Sequence, residues 1–247
     1  MSERNRGPLD SGAVQAYARA GGALYLIIIV IGVLGEALIR NSLIVSGDAA
    51  ATAQHILASQ FLWRLGVAGQ LVLLICAVAM TFIWYVLLRP VNKHLTLLAL
   101  FFGLMSLALE SVSALELQAV LAPISSATLK GIAPQQLQAM AYLSILSHSR
   151  ALGAALIFFG VQCLIVGYLI RQSGYFPKVI GTLMQVAGLC YLINSFSKIL
   201  LPSLQNVLFP AILVPCLVAE VSFCLWLLFR GVDGAVWEHR NVAFYRP

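Results

Sequence analysis

From Gly21 onward the chain alternates long apolar runs with short polar joints. Six runs are long enough to cross a hydrocarbon core, at about Gly21–Ile39, Leu65–Leu88, Leu95–Leu121, Ala151–Ile170, Val179–Leu201 and Val207–Phe229. A crossing helix needs about 20 predominantly apolar residues, and helices are the only open-ended elements that satisfy their own backbone in lipid. The pattern therefore predicts an all-α fold, a polytopic membrane helix bundle of about six transmembrane helices. The third run is the longest, so that helix is expected to tilt. Residues 1–18 read as an N-terminal tail, 19–230 as the bundle and 231–247 as a C-terminal tail.

Two joints are longer than a hairpin needs. After Asp48, which is placed to cap a helix, comes "AAATAQHILASQFLW"; after Pro134, which suits a first helical turn, comes "LQAMAYLSILSH". Both are expected as short interfacial helices on the outer side, or as extensions of the second and fourth spans.

Composition settles the solvent. With 61% hydrophobic residues, 10% charged residues and a mean hydropathy of +0.93, the chain lies far outside the balance of a soluble domain, so its principal partner is the lipid bilayer. A net charge of +6 in such a chain reflects lysines and arginines held on one side of the membrane, and no nucleic-acid partner is expected. With six spans, the N-terminus, second and fourth joints and C-terminus share a side. That side carries ten bases (Arg4, Arg6, Arg19, Arg89, Lys93, Arg171, Lys178, Arg230, Arg240, Arg246) against five on the other (Arg40, Arg64, Lys130, Arg150, Lys198). Both termini are thus expected in the cytoplasm, and the even spans end in aromatic–arginine anchors, "WYVLLR", "GYLIR" and "LWLLFR".

The third run is the anomaly. In "LMSLALESVSALELQAVLAP", Ser106, Glu110, Ser113 and Glu116 fall within an arc of about 120° at helical spacing, giving one polar face on a membrane helix. A charge at mid-membrane costs about 2.5–3.5 kcal/mol on insertion scales, so that face should point inward, toward a partner or a wet cavity. Partners are available: Glu36 and Arg40 end the first span, Asp48 follows it, and Arg64, His148 and Arg150 stand at the starts of the second and fourth. Asn194 and Lys198 share a stripe of the fifth span with Tyr191, and Glu220 lies in the sixth just past Pro215. Pro215 is expected to leave a carbonyl free near Glu220. Glu36, Arg40, Asp48, Arg64, Glu110, Glu116, His148, Arg150, Asn194, Lys198 and Glu220 form the candidate lining of a cavity, open to the outer face, for a small molecule or ion. The competing reading is an internal ion network, since acids Glu36, Asp48, Glu110, Glu116 and Glu220 balance bases Arg40, Arg64, Lys130, Arg150 and Lys198 five to five.

Enzyme signatures are lacking. No HExxH, GxSxG or Walker loop occurs, and no histidine stands mid-span where a haem would need it. No catalytic residue, metal site or cofactor is therefore expected. The cysteines, Cys76, Cys163, Cys190, Cys216 and Cys224, all sit in apolar runs without a CxxC pair, and read as packing residues. Homo-oligomerisation is compatible with such a chain.

The stretches "GDAAATAQHILASQFLWRLG", "LLRPVNKHLTLLALFF" and "FFGVQCLIVGYLIRQSGYFPKVIGTLMQVAGLCYLINSF" resemble the domain of unknown function 4386 family of bacterial membrane proteins, over about Ala18 to Val232. The resemblance implies six or seven spans in a bacterial cytoplasmic (inner) membrane and no assigned activity, substrate or cofactor. It places Asp48, Arg64 and Asn194 inside family-like motifs, and the chain departs from the family pattern at Gln162 and Lys178. The functional expectation is a transporter-like or small-ligand-binding bundle, with a structural or accessory membrane protein as the alternative and an intramembrane enzyme third.

Overall fold

A computed structural model describes residues 11–125 and 131–245, and every regular element among them is helical. Arg4, Arg6, Lys130 and Arg246, which entered the charge count, and the first ten residues of the N-terminal tail lie outside the described residues. In chain order the helices are α1 (Ser11–Leu43), α2 (Ala49–Ala58), α3 (Gln60–Leu88), α4 (Lys93–Ser125), α5 (Pro134–Ser173), α6 (Lys178–Leu200), α7 (Pro202–Leu208), α8 (Ala211–Phe229) and α9 (Gly234–Tyr245). Six of them, α1, α3, α4, α5, α6 and α8, are long and apolar enough to cross a membrane. Their surfaces suit lipid as solvent: Phe61, Ile75 and Val179 are 79%, 71% and 68% exposed, which water would penalise.

The two long joints take the two forms expected of them. Asp48 caps α2, its Oδ1 accepting from Ala51 N at 2.9 Å, and α2 stops at Ser59 before α3 begins. The second joint is an extension of the fourth span: from Pro134 it runs without a break, making α5 40 residues long, so these joints hold one separate short helix rather than two. The sixth span is also shorter than its apolar run. Phe209 and Pro210 end α7, a 3₁₀ turn covers Ala211–Leu213, and Pro215 falls in the first turn of the α-helical part of α8. A first-turn proline removes an N–H that has no helical partner in any case, so Pro215 frees no carbonyl for Glu220.

The helices group into two compact units. One comprises residues up to Leu26, Ala79–Leu104 and Ile157 onward, and so contains α6, α8 and α9 whole. Its core is an aromatic nest in which Trp84 stacks on Phe223 at 6.0 Å while Tyr25 and Phe176 meet the same rings edge-on. Helices α5 and α6 touch backbone to backbone along Gly160 and Gly167 on one and Gly188 and Gly181 on the other. A Cβ on Gly167 would lie 2.5 Å from Gly181 O, and one on Gly160 2.9 Å from Gly188 O. Seven residues are two helical turns, so each glycine pair forms one stripe, and small residues are what allow membrane helices to approach this closely.

Two further ties close this unit. The amide of Gln15 in α1 donates to Arg230 O and accepts from Val232 N, both at 3.0 Å, wrapping Gly231, whose φ of +69° ends α8 in the left-handed region. The C-terminal segment, expected as a tail, holds α9, whose Trp237 is fully buried and donates Nε1–H to Leu87 O at 3.0 Å. The hydroxyl of Tyr175 donates to the same carbonyl at 2.7 Å. Leu87 lies in the last turn of α3, where carbonyls have no helical partner, so the two donors act as its cap. Burial raises the Tyr175 phenol well above its ordinary range, with Arg240 acting weakly the other way, so the donor keeps its proton.

The other unit comprises Ile27–Val78 and Met105–Leu156. Leu43, Ile56, Trp63, Leu117, Val120, Leu121, Ala141 and Ile145 form its core, with Ile56 anchoring α2. Trp63 donates Nε1–H to Leu117 O at 3.1 Å, and Tyr142 accepts from Gly47 N at 2.7 Å, fixing the loop before α2.

Candidate functional site

In the second unit the polar side chains of α1, α3 and α4 gather around one guanidinium. Gly35–Arg40 is a π turn, closed by Asn41 N bonding to Glu36 O five residues back. The wider winding brings residues four apart nearly above one another, and π turns recur at functional positions. Here it aligns Glu36 and Arg40: Arg40 Nε donates to Glu36 Oε2 at 2.5 Å. The arginine side chain is 14% exposed, against 53% for the glutamate, so the cation is the deeper member of the pair. A charge-assisted bond of this kind is roughly twice as strong as a neutral one.

Glu110 of α4 lies within electrostatic reach of Arg40, and its Oε1 accepts from Gln70 Nε2 of α3 at 2.8 Å. Of the bases named as available to this face, Arg40 is the one within reach of Glu110, at longer range than the bonded amide. Beside the guanidinium is a cleft lined by Gly35, Ile39, Trp63, Gly66, Val67 and Leu117, with room for about one water molecule. Ile39 packs closely on Gly66 in its wall, where a Cβ would lie 3.1 Å from two Ile39 side-chain atoms.

On either side of Glu110 along the same α4 face, Ser106 Oγ donates to Ala155 O at 2.9 Å, and Ser113 Oγ lies 2.6 Å from His148 Nδ1 and 3.1 Å from His148 O. His148 is 5% exposed and serves to join α5 to α4. Among the described residues no group of three or more His, Cys, Asp or Glu side chains is placed to hold a metal ion. Glu116 is half-buried, and no described residue bonds it; Arg64, Arg150 and Asp48 are exposed.

In the first unit, Glu220 accepts from the Tyr191 hydroxyl at 2.6 Å, with Phe159 edge-on to the Tyr191 ring at 5.3 Å. Asn194 is 7% exposed with Oδ1 unbonded among the described residues, and Lys198 stands in the last turn of α6, where a cation is favoured by the helix dipole. The candidate residues are therefore divided between the units. Glu36, Arg40 and Glu110 come together in one, and Tyr191 and Glu220 in the other.

Gln70 was not legible as a site residue by any charge count, yet it left a signal. Within the apolar run Leu65–Leu88 the only residues with an amide or hydroxyl side chain besides tyrosine are Gln70 and Thr81. A buried amide has to find a partner, and a carboxylate one helix away supplies it.

A family model, Domain of unknown function (DUF4386), matches residues 20–231. The chain belongs to that family. A DUF4386 assignment carries no activity, and the similar protein from Archaeoglobus fulgidus, 25% identical over 165 residues covering 67% of this chain and 83% of that one, is itself described only as an uncharacterized protein. No solved structure matches the chain. The DUF4386 match takes in α1 from its third turn through α8, and with them the Arg40 cluster and the Glu220–Tyr191 pair.

Proposed function

We propose that the protein is a transporter-like membrane protein of the cytoplasmic membrane that binds a small anionic solute at the Arg40 cleft. The observation that carries this reading is a nearly buried guanidinium on a membrane-length helix, held by an exposed carboxylate and bordered by a cleft. An intramembrane ionisable side chain is expensive and marks a ligand or ion path by default. A solute carboxylate or phosphate would replace Glu36 on Arg40, taking two parallel guanidinium N–H bonds where Glu36 takes one, and its apolar part would lie on Trp63, Ile39 and Val67. Since the cleft has room for about one water, entry requires Glu36 to swing away and the Gly35–Arg40 turn to rewind.

The same small volume favours a second reading, an accessory protein in which the charges only fix helix register. Thermal unfolding of the full chain in detergent, across a panel of small carboxylates and inorganic phosphate, separates the two. On the transporter-like reading at least one solute raises Tm by several degrees, and Arg40→Gln removes that response. If no solute shifts Tm, or the Arg40→Gln protein responds equally, the accessory reading stands.

Both termini are assigned to the cytoplasm on the excess of lysine and arginine on their side. A phosphatase fused after Pro247 should be inactive and a fluorescent reporter there bright; an active phosphatase would reverse the assignment.

A further inference from the structure

Three of the four tryptophans donate their indole N–H to a backbone carbonyl: Trp63 to Leu117 O, Trp226 to Gly231 O and Trp237 to Leu87 O, at 3.0–3.1 Å. Trp84 does not. It is 4% exposed, and its buried Nε1 has no hydrogen-bond partner among the described residues. An unmet buried donor is costly, and native proteins rarely leave one without a reason.

The reason lies beside it. Trp84 of α3 borders a chamber in the first unit whose other polar walls are Thr81, Thr96 of α4 and Gln162 of α5, and which has room for about one water molecule. Thr96 and Gln162 are each 2% exposed. The Thr96 hydroxyl gives its proton to Asn92 O at 2.7 Å, which leaves its lone pairs as acceptors. The chamber also depends on a missing side chain: a Cβ on Gly103 would lie 2.3–2.9 Å from the three terminal atoms of Gln162 and drive that amide into the space.

We propose that this chamber is a binding site for a single ordered water, which accepts from Trp84 Nε1–H and donates to Thr96 Oγ1 and the Gln162 amide oxygen. Three partners are the usual complement of a buried water. One molecule then joins α3, α4 and α5 through three polar contacts. A larger ligand does not fit, and a cation would meet the indole N–H.

Replacing Trp84 with its sulfur isostere, 3-benzothienylalanine, tests this by the sign of its effect, because the bicyclic ring and its stack with Phe223 stay while the N–H goes. With the water present, the substituted protein loses a bonded network, and Tm in detergent should fall by several degrees. Gly103→Ala should lower Tm as well, and the double variant should fall short of the sum, since both expel the same molecule. In a dry chamber the isostere removes an unmet donor, so Tm would hold or rise, and that result overturns the proposal. Magnetisation transfer from water to the Trp84 indole proton in the unaltered protein reads the site directly and does not depend on either variant folding. A cross-peak supports the water, and its absence, with the three bonded indoles visible, counts against it.

Discussion

Replacing Gly167 with leucine should abolish a monodisperse fold, and Gly167→Ala should already lower Tm in detergent by roughly 5–10 °C. The single methyl would sit 2.5 Å from Gly181 O and 2.7 Å from the Gln185 Cγ atom. The first contact is with backbone, which cannot rotate away, so α5 and α6 have to separate along the whole stripe. Overpacking of this kind costs about 1–3 kcal/mol per site, against a gain of up to about 1 kcal/mol in helix propensity for Gly to Ala. Separation also weakens the Gly160–Gly188 contact two turns away, so the loss should exceed that of an isolated site. Gly32→Ala is the control. Its Cβ would meet only Leu73 Cδ1 at 3.7 Å, an ordinary contact, and its Tm should hold or rise slightly. Equal behaviour of the two alanine variants would remove the close glycine contact from any account of this unit's stability.

Trp237→Ala should destabilise the first unit by about 3–5 kcal/mol, the usual cost of deleting a large buried aromatic. The side chain is fully buried and shares the Leu87 carbonyl with Tyr175, so its loss leaves both a cavity and a half-capped helix end. Limited proteolysis should then cut within α9 at a protease level that spares the unaltered chain. Tyr175→Phe removes only the other donor and should cost about 1 kcal/mol, with α9 still protected. If α9 is cut equally in both proteins before and after substitution, the helix is not held by Trp237.

The transmembrane helices were legible because length and hydropathy depend on lipid thickness alone, a constraint that each run satisfies independently of its neighbours. What broke that reading was local. Phe209 and Pro210 interrupt an apolar run that hydropathy treats as continuous, and the π turn at Gly35–Arg40 leaves hydropathy unchanged while altering which side chains align. The polar face of α4 was visible as spacing, and Ser106, Glu110 and Ser113 do meet other helices, while Glu116 bonds none of the described residues. Their partners were not visible, because charge counting looks for bases and the structure supplies Gln70 for Glu110 and Tyr191 for Glu220. Neutral donors satisfy a carboxyl without the cost of burying a second ion. Arg64, in the second turn of α3, and Arg150, well inside α5, were prominent in sequence, yet both are exposed, and long cationic side chains reach for water where they can.

The amide of Gln15 has a consequence for the order in which the chain is assembled. Its two bonds span separations of 215 and 217 residues, almost the whole protein. During synthesis the first helix enters the bilayer early and on its own, yet the groups that saturate Gln15 emerge only after the last span has been made. At about 5–20 residues per second the ribosome needs roughly ten seconds or more to reach Val232. For that interval the first helix stands in the membrane with an unsatisfied amide near its start, open to chaperones, to the insertion machinery or to another copy of the chain. Nascent chains that stop short of Val232 should keep the first helix extractable, and completion of the last span is the event that locks it.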